Sequence, residues 1–154
     1  MSSLRYPTLT FSIAVPDAAR AIEFYQLAFG AVELYRLVDP ETQKIGHAEL
    51  TVGDSLFMVS DEYPAFNQTP QRLGGVSARF VLMVDDVDAT VARAVAAGAQ
   101  VKRSPKDQFY GFRSAGIIDP AGHEWMVQKQ LETLTPTEMQ ARWNSMVSTP
   151  ATTA

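Results

Sequence analysis

The 154-residue chain is one domain's worth of sequence, long enough to bury roughly two-thirds of its unfolded surface without staples or a structural metal. Its 46% hydrophobic and 19% charged residues are those of an ordinary globular protein, and a net charge of −4 with 13 scattered Lys and Arg excludes the electrostatic footprint of nucleic-acid or anionic-membrane binding. The absence of cysteine removes disulfides, thiolate nucleophiles and sulfur-ligated zinc, and with no secretory leader and no apolar run of membrane-spanning length the chain is expected to be cytoplasmic.

Residues 9–15 alternate, with Phe11, Ile13 and Val15 on one face and Thr10, Ser12 and Ala14 on the other, which predicts a strand. Pro16-Asp17 turns the chain. Asp17 caps a helix whose apolar stripe is Ala18, Ile22, Tyr25 and Phe29, and Gly30 supplies its left-handed end. A second strand runs from Val32 to about Leu37 and is broken by Asp39-Pro40. Residues 46–60 read as a hairpin about Gly53-Asp54, with His47, Glu49 and Thr51 on one face of the third strand and Leu56, Met58 and Ser60 on one face of the fourth. The stretch from Asp61 to Gly75, with two prolines and a Gly pair, predicts a connector without regular structure, long enough for a lid or a dimer contact.

The same construction then returns about 70 residues on, Val84 falling on Val15, Asp86 on Asp17 and Gly98 on Gly30 after a one-residue deletion in the helix. Phe80, Leu82 and Val84 take the helix-facing positions, leaving Arg79, Val81 and Met83 opposite. Val87, Val91, Ala94 and Val95 form the second helical stripe. Val101 to Arg103 begins a strand, Pro105 to Gly111 is a loop, and Phe112 to Ile118 is a strand. Asp119-Pro120-Ala121-Gly122 is a tight turn that delivers the last strand, His123 to Lys129, with Trp125 and Val127 on the apolar face and Glu124, Met126 and Gln128 on the other. Thr135, Pro136 and Glu138 open a final helix to about Met146 with a capping box, and the last residues are expected to be disordered.

The predicted order is βαβββ, connector, βαβββ, helix: an α+β protein in which each sheet buries one face under its helix while the opposite faces curl around a cavity. The helix phrase AIEFYQLAFGA, the phrase VDDVDATVARAVAAGA and the closing FYGFRSAGIIDPAGHEW with TPTEMQARW resemble the vicinal oxygen chelate superfamily, the group of glyoxalase I, extradiol dioxygenases, and fosfomycin and bleomycin resistance proteins, and within it the PhnB-like branch. The resemblance covers residues 9–130. It implies a glyoxalase-like domain over 4–132, made of modules 4–61 and 76–131 joined by connector 62–75, then a helix over 133–147 and a disordered tail over 148–154. It also implies a homodimer, which exposed sheet edges and the long connector favour as well.

Metal-using members of this superfamily carry His, Gln or Glu near the start of each module's first strand and Glu on each module's last strand. By the resemblance those positions fall here on Thr10, Arg79, Met58 or Ser60, and Met126, none of them a good ligand for a divalent ion, and the Arg79 cation would repel one. The expectation is therefore a protein with no metal or other cofactor that holds a small organic molecule with an apolar body and an anionic group. The alternative is an enzyme, a lyase, isomerase or dioxygenase type, working without metal or with a displaced metal site.

Residues assigned to the ligand are Thr10, Ser12, Glu49, Met58, Ser60, Arg79, Tyr110, Arg113 and Met126. Arg79 would clamp a carboxylate or phosphate, or else form an ion pair with Glu49 or Glu124. Catalytic candidates are Glu124 and His47. His47 and Glu49, two apart on one strand, could act as an acid/base pair, form half of a relocated metal site, or belong to a solvated edge strand. His123 has helix-face parity, which favours packing or a loop hydrogen bond, and Met139 and Trp143 are expected to pack the last helix down or to meet a dimer partner. The chain carries no Ser-His-Asp order, phosphate loop or dinucleotide fingerprint.

Overall fold

The structure is a computed structural model that describes residues 6–148. Its elements are β1 (Phe11–Val15), α1 (Ala18–Phe29), β2 (Val32–Val38), β3 (Ile45–Val52), β4 (Ser55–Asp61), α2 (Pro70–Leu73), β5 (Arg79–Met83), α3 (Val87–Ala96), β6 (Gln100–Asp107), β7 (Phe112–Ile118), β8 (Glu124–Gln130) and α4 (Pro136–Ser148). They form two four-stranded mixed sheets, β1-β4-β3-β2 and β5-β8-β7-β6. Each module repeats one path: a helix carries the chain to the far edge of its sheet, and two hairpins return it to lie parallel beside the first strand. The α+β architecture of paired modules is thus the expected one. Of the expected tail, Ser148 ends α4 and residues 149–154 lie outside the described residues, as do 4 and 5 of the first module.

Local rules account for the element ends. Asp17 accepts the Arg20 N–H and Asp86 the Ala89 N–H, each at the mouth of its module's helix. Thr135 and Glu138 exchange the reciprocal bonds of a capping box at α4. Gly30 takes the left-handed cap at φ 68°, which a side chain would strain. In the second module the cap is Ala97 in right-handed geometry, and Gly98 follows it at φ 113°.

Three elements differ from the sequence expectation. The connector contains one helical turn, α2, capped by Thr69 with Pro70 at its start. β6 continues through Pro105, which an edge strand tolerates because the missing N–H faces away from the sheet. β3 is interior, so His47 and Glu49 do not stand on a solvated edge.

The core sits where the two helix-bearing faces meet. α1 rests on its own sheet, α3 on the other, and the two helices pack together. Phe11 of β1 stacks on Phe80 of β5 at 4.1 Å, and Phe57 of β4 lies 6.2 Å from Trp125 of β8. Phe57 and Trp125 are each one strand in from a sheet edge. Laid side by side in one surface, their strands would be about 14 Å apart with side chains diverging, given a spacing of about 4.8 Å per strand. The observed contact therefore requires the helix faces to turn towards each other and the opposite, outer faces to look away. Asp119 ties the modules: it accepts from Tyr25 Oη on α1 at 2.7 Å and from Trp125 Nε1 at 2.9 Å, with the Ala121 and His123 N–H groups on its other oxygen.

Candidate functional site

The outer face of the first sheet carries a row formed by Ser12, Met58, Glu49 and Tyr35, in register across all four strands. Glu49 is 2% exposed, and its carboxylate receives Tyr6 Oη at 3.1 Å, Tyr35 Oη at 2.9 Å and His47 Nε2 at 3.1 Å. Burial alone would raise the Glu49 carboxyl, but the bonds from His47, Tyr35 and Tyr6 overturn that and hold it below the usual carboxylate range. The same contact with Glu49 pushes the Tyr35 phenol up to about 12. An ionised carboxylate encircled by three donors is a poor proton shuttle and a strong organiser of the surface around it. Tyr6 gave no signal in the sequence, and Tyr35 could have been found by its parity with Glu49.

On the second sheet the outer face carries Arg79 opposite Glu124, then a row of Val81, Met126, Gly116 and Arg103. Lys102 bonds Glu124 at 2.6 Å, so Glu124 is engaged and Arg79 is left without it. Tyr110 lies over the sheet end, its hydroxyl 3.1 Å from the buried Ser114 Oγ. A cavity of about 310 Å³ opens among Arg79, Lys102, Arg103, Gly116, Glu124 and Met126. A groove of about 660 Å³ follows exposed β5, where Arg79, Val81 and Met83 meet Phe11, Leu56 and Trp125. A third, of about 600 Å³, lies between β1 and the connector, bounded by Ser12, Pro70, Leu73, Phe80 and His123.

The residues picked out in the sequence therefore fall into separate groups. Ser12, Glu49 and Met58 share the first outer face with His47, while Arg79, Glu124 and Met126 share the second. Thr10 precedes β1, its hydroxyl buried without a partner among the described residues. Ser60 is held from the connector by Asn67 Nδ2 at 3.0 Å. Arg113 is not on the outer face: it reaches to the helix side, clamping Asp88 of α3 and Asp107 of β6. Two carboxylates on one guanidinium make it a brace between helix and sheet. His123 bonds the Ala14 carbonyl across the module junction at 2.9 Å. Trp143 touches Phe109 at 5.5 Å but is 48% exposed, so α4 is only lightly held to its own chain.

The donor set does not fit the divalent ion implied by the resemblance. Met58 pairs with Ser12 and Met126 with Val81, so the strands facing the expected ligand positions offer thioethers, a hydroxyl and an aliphatic side chain, with the Arg79 guanidinium nearby. Among the described residues no three His, Asp or Glu side chains converge, and no helix is long and apolar enough to cross a membrane.

The model of the Glyoxalase/Bleomycin resistance protein/Dioxygenase superfamily matches residues 8–127. The chain belongs to this superfamily. An uncharacterized protein of Mycobacterium tuberculosis is 38% identical over 143 residues, covering 90% of this chain and 84% of its own, and one from Arabidopsis thaliana is 34% identical over 124 residues, covering 75% and 73%. Among solved structures, TioX from Micromonospora sp. ML1 matches with a TM-score of 0.63 at 26% identity, over 81% of this chain and 99% of TioX. The fosfomycin resistance protein FosX from Listeria monocytogenes, solved with Mn(II) and sulfate, matches at 0.62 and 17% identity over 91% of this chain and 98% of its own, which shows a shared fold.

Proposed function

We propose that this superfamily member binds a small organic molecule without a divalent ion, and that the site is completed in a homodimer, where the outer face of one copy's first sheet is covered by another copy's second sheet. The donor set carries the reading: thioethers at Met58 and Met126 and the Arg79 cation stand where metal-using members place imidazoles and carboxylates. Methionines make a deformable apolar wall suited to an organic body. Supporting association, β1 and β5 end their sheets with edges unpaired among the described residues, and the outer faces leave Leu37, Val81 and Met83 more than half exposed. This fits a PhnB-like, cytoplasmic binding protein. Binding is favoured over turnover because Glu49 is saturated by donors and Glu124 is tied to Lys102.

The experiment is metal analysis of protein purified without an affinity tag, with light scattering for mass. The expected result is a dimer with substoichiometric zinc, nickel, manganese and iron. One ion per chain would overturn the metal-free reading, and a monomer at micromolar concentration would overturn the shared cavity.

A further inference from the structure

The second outer face has an unusual charge arrangement, created by backbone geometry. Val101 pairs with Ile117 and Arg103 with Gly116, so Lys102 is an extra residue in β6, a β-bulge. Strict alternation would send Lys102 and Arg103 to opposite faces. The bulge brings both to the outer face, where Lys102 reaches Glu124 and Arg103 lies across Gly116. A Cβ built on Gly116 would sit 3.5 Å from Arg103 Cβ and 3.8 Å from its Nε, which places the Arg103 side chain directly over Gly116.

Three cations, Arg79, Lys102 and Arg103, thus face one carboxylate, Glu124, around a cavity of about 310 Å³ in a protein whose net charge is −4. Lys102 neutralises Glu124. Among the described residues Arg79 and Arg103 have no hydrogen-bond or ion-pair partner, and Arg103 Nη2 is withdrawn from solvent. A buried donor left unpaired is costly, more so when charged, so a group held this way calls for an acceptor. Two guanidinium forks beside one concave floor match the oxygens of an oxyanion, and the neighbouring Val81 and Met126 offer an apolar rest for the rest of a molecule.

We propose that Arg103 and Arg79, with Lys102 holding Glu124 aside, form an oxyanion-binding site on the outer face of the second sheet, which takes the phosphate, phosphonate or carboxylate head of a small organic ligand. This deepens the binding reading above by naming the ligand's polar end. It requires neither the absence of metal elsewhere nor a particular partner surface.

The test is calorimetric titration of the full chain with phenyl phosphate and, separately, inorganic phosphate, at low and at near-physiological ionic strength. The protein is first dialysed against a chelator, and its metal content is read on the same sample. Phenyl phosphate is expected to bind one per chain, more tightly than inorganic phosphate and more weakly as salt is raised. Arg103→Met and Arg79→Met are each expected to weaken it at least about tenfold, the loss of a charge-assisted contact. Arg20→Met, on the exposed face of α1, is expected to change nothing.

Arg103→Met is also expected to leave the melting temperature unchanged or raised, since the guanidinium has no partner among the described residues to lose. Absent binding, binding by either Met variant as tight as that of the unsubstituted chain, or a dimer that falls apart in Arg103→Met would overturn the site. Equal affinity for the two phosphates would overturn the assignment to an organic ligand. If metal is found and removed while phenyl phosphate binding persists and still depends on Arg103, the metal-free reading fails and the anion site stands.

Discussion

Removing the Asp119 carboxylate tests how the two modules are joined. In Asp119→Ala, Tyr25 Oη and Trp125 Nε1 lose their shared acceptor in surroundings where Tyr25 is fully buried and Trp125 is 3% exposed. The Ala121 and His123 N–H groups lose theirs at the turn. Two buried side-chain donors left unpaired cost about 1–3 kcal/mol each, and water entering the vacated volume returns part of that, so a loss of about 4 kcal/mol is expected. That is a large share of the roughly 5–15 kcal/mol by which a domain is stable. Tyr25→Phe alone removes one bond to a carboxylate, about 1.5–3 kcal/mol. In the Asp119→Ala background the same change removes a stranded hydroxyl and is expected to be neutral or stabilising. Urea denaturation of the four proteins, followed by tryptophan fluorescence, gives the coupling directly, expected at about 1.5 kcal/mol or more. A coupling below about 0.5 kcal/mol would show that packing, and not this carboxylate, joins the modules.

Burial first, and then the neighbouring Asp119, push the Tyr25 phenol well above its usual value, so its contribution to stability is fully present below about pH 10 and declines as pH rises past that point. Asp119→Ala is expected to weaken that alkaline decline. At the other end of the scale, the lowered Glu49 carboxyl contributes stability above about pH 4.5 that is lost as the pH falls through its folded value, so Glu49→Gln is expected to flatten the acid limb of a stability-pH curve, cost about 1–3 kcal/mol at neutral pH, and return the Tyr35 ultraviolet titration from about 12 towards 10. Gly111→Ala is expected to cost about 2 kcal/mol or more by thermal unfolding. The residue sits at φ 85° and an added Cβ would lie 2.9 Å from the Glu132 carbonyl oxygen, so a neutral result would refute the strain.

Much of the fold was legible because its signals are local. Asp17 and Asp86 behave alike since an N-cap needs only a short acceptor ahead of a helix, and the apolar alternation of β1 and β5 points to the helix side in both modules. The candidate site was legible only where strict alternation holds. Ser12, Met58 and Glu49 share a face by parity, but Arg103 was hidden by the bulge at Lys102, and Arg113 proved to be a brace between Asp88 and Asp107. The expectation that the last helix packs down met a helix with no buried residue, because a stripe such as Met139 and Trp143 states that a face is apolar and not what covers it.

Apart from the metal-ligand positions, which only the superfamily resemblance implied, one could read from residue order alone two copies of one βαβββ unit, their caps and their apolar faces. Those are properties of near neighbours along the chain, where periods of 2 and 3.6 residues convert spacing into direction. Tertiary structure alone decided that the units meet through their helix faces, that Asp119 receives Tyr25 from 94 residues away, and that Arg103 and Arg79 stand over one cavity, unpaired among the described residues. Each depends on which distant surfaces exclude water together and on where a strand gains one residue, and neither leaves a period in the sequence.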